Sequence, residues 1–164
     1  KMYYYVKDKL KANGYEHYEI SNFAKKGYES KHNLVYWNQE DYAGIGAGAS
    51  SYIDGVRYTN ESNIDKYNEL VNKEFSQRIV EEVQSSEEKL REYIILKLRL
   101  IEGLGILEFN KKFLTDFEEK FKNEISKLEK QKLVQIRNGR FMLTDKGLDF
   151  AKVVWREFIY YIKE

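Results

Sequence analysis

His32-Asn33-Leu34-Val35-Tyr36-Trp37, followed by Tyr42-Ala43-Gly44-Ile45-Gly46-Ala47-Gly48-Ala49-Ser50-Ser51, concentrates more special chemistry than any other part of the chain. The first hexad holds one of the two histidines and one of the two tryptophans. The second stretch carries glycine at alternate positions, which lets a backbone approach a ligand closely or take a positive φ. A histidine can ligate a metal or carry a proton near neutral pH, and the Tyr36 and Trp37 rings can stack on a flat ligand. Each feature also has a plain reading. A lone loop histidine serves to bond a backbone carbonyl, and a glycine-thinned segment serves close backbone packing. The glycine spacing is not the dinucleotide fingerprint, which needs G-x-G-x-x-G at the start of a helix.

Around this stretch, 164 residues allow one large domain or two small ones. Hydrophobic content of 42% with 34% charge reads as globular. Lys+Arg 28 against Asp+Glu 27 leaves no basic excess of the kind that tracks phosphates. No apolar run reaches the roughly 18–20 residues that span a bilayer. Zero cysteines exclude a disulfide framework and any thiolate for an iron–sulfur cluster. Zero prolines, and Lys1-Met2 already inside a helix pattern, lead us to expect the C-terminal part of a longer protein.

Taken in order, Tyr3, Val6, Leu10 and Ala12 among lysines predict a short amphipathic helix, stopped by Asn13-Gly14. Tyr15 to Ser21 reads as a strand, with Ser21-Asn22-Phe23-Ala24 at its carboxyl end. Lys25 to Asn33 reads as a loop, Val35 to Gln39 as a short helix or irregular stretch, and Tyr42 to Ile53 as strand-like. Asp54-Gly55 predicts a hairpin turn, and Asn63 or Ser62 caps a helix through Val71. Phe75 to Glu82 is read as a connector, with the domain boundary near it. Ser85-Ser86-Glu87-Glu88 starts a helix running past Leu100 to Gly103 and Gly105. Helices over Ile106–Phe117 and Glu118–Gln131 follow, then a hairpin at Asn138-Gly139. A last helix, capped by Thr144 or Asp145, buries Leu148, Val153, Val154, Phe158 and Ile162. Three helices, a hairpin and a closing helix make a winged-helix-like module. A winged helix can read DNA, but the exposed face of residues 118–132 interleaves Glu118, Glu119, Glu124 and Glu129 with lysines, so no nucleic-acid partner is expected. His17 and Glu19, two apart on a strand, share a face that could bind a metal or line a barrel lumen.

The pattern HNxxYW followed by Gly44-Ile45-Gly46-Ala47-Gly48-Ala49, with Glu16 to Ala24, resembles the C-terminal half of a radical-SAM family. This is the family of oxygen-independent coproporphyrinogen III oxidase-like proteins, in particular its heme-chaperone branch. The resemblance is densest over Gly14 to Ser51 and looser after Ser85. It implies an α/β (α+β) fold: the remnant of a partial (β/α) barrel with a β-hairpin extension over residues 1–80, then a mostly helical winged-helix-like domain over 81–164. It implies His32 as a heme-iron ligand, with Asn33, Tyr36 and Trp37 in the heme pocket, and Gly46, Ala47 and Ser50 toward S-adenosylmethionine. The implied function is heme binding and delivery in the cytoplasm; the alternative is oxidative decarboxylation of porphyrinogen. S-adenosylmethionine and the 4Fe–4S cluster belong to the full-length parent, an oxidoreductase. This chain lacks the cluster cysteines and is expected to be inactive alone and not to bind S-adenosylmethionine measurably. Heme or porphyrin and the N-terminal half of the parent barrel are the implied partners. An open edge on the Tyr15–Ser21 strand would favour a homodimer.

Overall fold

A computed structural model describes residues 2–73 and 78–159. They form two compact units, divided between Asn38 and Gln39 and again between Lys89 and Leu90.

The first unit opens with helix α1 (Met2–Ala12), which ends at Gly14 with φ +78°. Strands β1 (Glu16–Glu19) and β2 (Asn22–Ala24) follow as an antiparallel pair. The expected parallel barrel strand is therefore half of a hairpin. The chain reverses at Ile20-Ser21, and the Asn22 side chain donates to the Glu19 carboxylate across the turn. A parallel partner would need a crossover of a dozen or more residues. The edge expected to be open is bonded as well: Ile20 N–H donates to the Arg99 carbonyl (3.0 Å) and Ile101 N–H to the Tyr18 carbonyl (3.1 Å). Helix α2 (Lys31–Trp37) starts earlier than expected, because Ser30 caps it by accepting from Asn33 N–H. His32 and Asn33 thus lie on a helix and not in a loop.

The second unit is residues 39–89. Tyr42 bridges Tyr52, but residues 43–49 form a loop and not the expected strand, since Gly46 (φ +103°) and Gly48 (φ +70°) leave the extended region. Strands β3 (Ser50–Ile53) and β4 (Val56–Asn60) make the expected hairpin, with Asp54 and Gly55 both at positive φ. Asn63 caps helix α3 (Ile64–Asn72). Residues 78–83 are not a connector: they form β5 (Arg78–Val83), which extends the sheet in the order β3-β4-β5. The boundary expected near residue 80 falls inside this strand. Phe75, the start of the expected connector, lies outside the described residues.

Helix α4 (Ser86–Lys97) begins with reciprocal Ser85 and Glu88 side chain to backbone bonds. It stops at Lys97, short of the expected end at Gly103, because the chain turns through residues 98–101 and bonds β1 there. Gly103, at φ +69°, turns the chain into β6 (Leu104–Gly105). Helix α5 (Ile106–Phe113) ends at a left-handed Leu114. Asp116 restarts the chain as α6 (Phe117–Lys120), and Phe121 separates that turn from α7 (Lys122–Lys130). The two helices expected over 106–131 are thus three. Strands β7 (Val134–Arg137) and β8 (Arg140–Leu143) turn at Asn138-Gly139 as expected. Thr144 caps α8 (Asp145–Asp149), and Phe150 breaks the expected last helix before α9 (Ala151–Phe158). Tyr160, Tyr161 and Ile162 lie outside the described residues.

Helices α4, α5, α7 and α9 pack with the antiparallel sheet β6-β8-β7 around one core, the winged-helix-like module. Ile94, Leu98, Leu104, Phe109, Phe117, Phe121, Leu128, Phe141, Val154 and Phe158 are fully buried there. Leu98 belongs to this core and Leu100 is buried beside it, so the segment that bonds β1 is anchored by its own neighbours. Among the described residues no helix is long and apolar enough to cross a membrane.

Candidate functional site

Helix α2 has seven residues and buries none of them completely. His32 stands exposed in its first turn. Tyr36, one turn on, lies edge-on to it, with ring centroids 4.8 Å apart at 88° and the hydroxyl 3.1 Å from His32 Nε2. A tyrosine hydroxyl that donates to Nε2 leaves the proton of a neutral ring on Nδ1. The pair is a polar, aromatic outer face with one exposed imidazole. Asn33 is half-buried, and its N–H is spent on the Ser30 cap.

Trp37 points elsewhere. Five residues along a helix is a rotation of about 140° from His32. There the Arg99 guanidinium lies 4.1 Å from the Trp37 ring centroid, with the Trp155 ring of α9 5.4 Å from it. Trp37 Nε1, Arg99 Nε and Trp155 Nε1 are buried and have no hydrogen-bond partner. At the C-terminal end of α2, Lys97 Nζ donates to Asn38 Oδ1 (2.7 Å) while lying over the Tyr93 ring. Arg99 and Lys97 were absent from the sequence-based candidates. The structure thus brings His32 and Tyr36 together, and turns Trp37 toward the helical module.

Gly46, Ala47 and Ser50 belong to the other unit. Their loop is shaped from beneath by Asn60, a buried residue whose Nδ2 donates to the carbonyls of Gly44 (3.2 Å) and Gly46 (2.8 Å). Gly48 N–H donates to Glu61 O and Gly44 N–H to Ser51 Oγ. A Cβ at Gly44 would stand 2.3 Å from the Ser50 carbonyl oxygen, so that glycine is required by close backbone packing. Asn60 was also missed, because a strand-end asparagine carries no mark of what it bonds.

His17 and Glu19 do not form a metal site, and among the described residues no cluster of three or more potential ligands exists. The β1 register shifts between them. His17 stacks on Phe23 (4.4 Å, 17°) and its Nε2 lies 3.2 Å from the Ile20 carbonyl. Glu19 is fully buried and bonded by Asn22, with Oε2 unpartnered. Burial pushes the His17 imidazole below its usual pKa, against the opposing pull of the Ile20 carbonyl. A depressed basic group leaves the unfolded chain holding more protons, so its contribution is intact above the ordinary histidine range and is lost as pH falls through it. Thermal melts at pH 7.5 and 5.5 should show a smaller acid-induced drop in midpoint for His17→Phe than for the wild type. Equal drops would rule out this histidine as a source.

On α6 and α7, Glu118, Glu119, Lys122 and Glu129 line one shallow groove, and Lys127 is paired with Glu157 of α9 (2.8 Å).

Compared with known proteins, residues 84–150 match the HemN C-terminal domain. Over 158 residues the chain is 42% identical to the heme chaperone HemW of Lactococcus lactis subsp. lactis, covering 96% of this chain and 41% of that protein. It is 37% identical over 159 residues to the heme chaperone HemW of Bacillus subtilis, covering 96% and 42%. Among solved structures it superposes on Escherichia coli coproporphyrinogen III oxidase (HemN), described as a radical SAM enzyme. The TM-score is 0.71 at 18% identity, over 96% of this chain and 40% of that one. That likeness establishes a shared fold. The chain spans about two fifths of the length of the curated relatives it matches.

Proposed function

The chain is homologous to part of the heme chaperones HemW and its residues 84–150 belong to the HemN C-terminal domain family, and from that premise we propose that it binds heme, with the His32 imidazole as a ligand to the iron. The observation that carries this reading is the exposed His32–Tyr36 pair on α2. The residues fit the group. An exposed imidazole is a suitable axial ligand for heme iron, and the Tyr36 ring beside it offers an aromatic edge and a hydroxyl to a bound macrocycle. Where Nε2 is the ligating atom, the Tyr36 hydroxyl gives up that nitrogen.

Heme is cargo in this reading, held for delivery in the cytoplasm. Radical chemistry is not assigned to this chain, because with zero cysteines it has no thiolate to hold a 4Fe–4S cluster. In the same reading Gly46, Ala47 and Ser50 would offer backbone groups and one hydroxyl to S-adenosylmethionine. The same reading gives the chain a protein partner, the preceding part of the barrel. Helix α1 supports it, since none of its residues is buried while Met2, Tyr5 and Val6 are exposed.

The test is an absorbance titration of hemin into the chain and into His32→Ala. The wild type should shift the Soret band on binding, and the alanine variant should bind at least about tenfold more weakly with a displaced band, as loss of one ligand bond implies. Identical spectra and affinities would remove His32 from the site.

A further inference from the structure

We propose that Arg99 is a positioning residue for His32: packed against both Trp37 and Trp155, it fixes helix α2 to the helical module, so that ligand binding on α2 depends on that module. The inference rests on the reading of His32 as the heme ligand.

A helix of seven residues has little stability of its own. None of its residues is fully buried, so contacts at its ends add to the partial burial of residues 33–37. Ser30 holds the first turn. The last turn is held by two cations from one short segment. Lys97 Nζ bonds Asn38 at the C-cap, and the Arg99 guanidinium stacks on Trp37, the last helical residue. Positive charge at that end also complements the helix dipole.

Arg99 is itself immobilised. Leu98 before it and Leu100 after it are buried, and its carbonyl accepts from Ile20 N–H. Its guanidinium also lies 5.4 Å from the Trp155 ring centroid of α9. The buried donors Trp37 Nε1, Arg99 Nε and Trp155 Nε1 make no hydrogen bonds, so face-on attraction between cation and indole holds this arrangement. One cation thereby ties the helix that carries His32 to the C-terminal helix of the module. The role asks for a planar charged group packed against two rings. Methionine keeps the length without the charge, and lysine keeps the charge without the plane.

The experiment compares wild type, Arg99→Met, Arg99→Lys and Trp155→Leu by hemin titration, tryptophan emission and thermal unfolding. The chain's two tryptophans are both in this cluster, so emission reports on it alone. In Arg99→Met, emission should shift to the red and hemin affinity fall about tenfold with an altered Soret position, while the chain stays folded. Arg99→Lys should recover part of both. If Arg99→Met does not fold, Trp155→Leu, which removes the second ring and leaves Arg99 in place, decides by the same criteria. An emission shift with unchanged hemin affinity and Soret position overturns the positioning role and leaves His32 as the ligand. A wild type without any His32-dependent Soret shift overturns both.

Discussion

Truncating Phe109 to alanine should destabilise the first unit by about 4 kcal/mol, the range for a fully buried phenylalanine. Phe109 is at the centre of the aromatic core. Its ring lies 4.9–6.3 Å from those of Tyr93 on α4, Phe113 on its own helix, and Phe117 and Phe121 at the start and C-cap of α6. The vacated volume cannot be closed by one neighbour, because each is pinned by further rings: Phe117 against Phe141, and Phe121 and Phe141 against Phe158. A domain has only about 5–15 kcal/mol of stability in all, so urea denaturation followed by circular dichroism should show the transition moved far toward zero denaturant or lost. Leu107, 82% exposed on the same helix, supplies the contrast: Leu107→Ala should leave the midpoint almost unchanged. A Phe109→Ala cost below about 1 kcal/mol would mean that this ring is not where the core is closed.

Gly147→Ala sets two principles against each other. Gly147 lies inside α8, where alanine is favoured over glycine by about 1 kcal/mol on propensity alone. Its surroundings forbid the exchange. A Cβ there would stand 1.9 Å from the Leu133 carbonyl oxygen and 3.3 Å from Leu143 Cβ. The Leu133 oxygen cannot retreat freely, since it accepts Thr144 N–H at 3.0 Å, and Thr144 in turn caps α8 through Gly147 N–H at 2.9 Å. Relief of the overlap therefore pulls apart the cap, the hairpin and the helix together. We expect a net loss of about 3 kcal/mol, at the upper end for overpacking, read as a fall in the denaturation midpoint. A midpoint equal to or above the wild type would show that propensity had won.

The local signs in the sequence read well where one residue type has one dominant use. Asp54-Gly55 and Asn138-Gly139 turn as expected, and Asn63 and Thr144 cap as expected, because side-chain oxygen at a helix start and positive φ at a two-residue turn have few substitutes. The helical module followed from apolar spacing. Helix α2 began too early to be read, because its cap, Ser30, is surrounded by polar residues and seven residues do not complete an apolar period. The glycine segment reads as alternating and strand-like, yet alternation of Gly with small residues is equally a loop of positive φ, and only Asn60 decides between them. Of the candidate site, His32, Tyr36 and Trp37 stand out in the sequence, but reading His32 as part of a loop hides its pairing with Tyr36 one helical turn on. Arg99 was not legible, since it falls inside a leucine-rich run taken for one helix. Leu98-Arg99-Leu100 alternates with period two, and that change of period was the available clue.

The first unit is assembled from two stretches that flank residues 39–89. That order has a consequence at the ribosome. The hairpin β1–β2 and helix α2 emerge early, but Leu100, Arg99 and Trp155, against which they settle, are translated only after the whole intervening unit. At about 5–20 residues per second the nascent chain carries its leading segment unsettled for several seconds, while the sheet of the second unit can already close on itself.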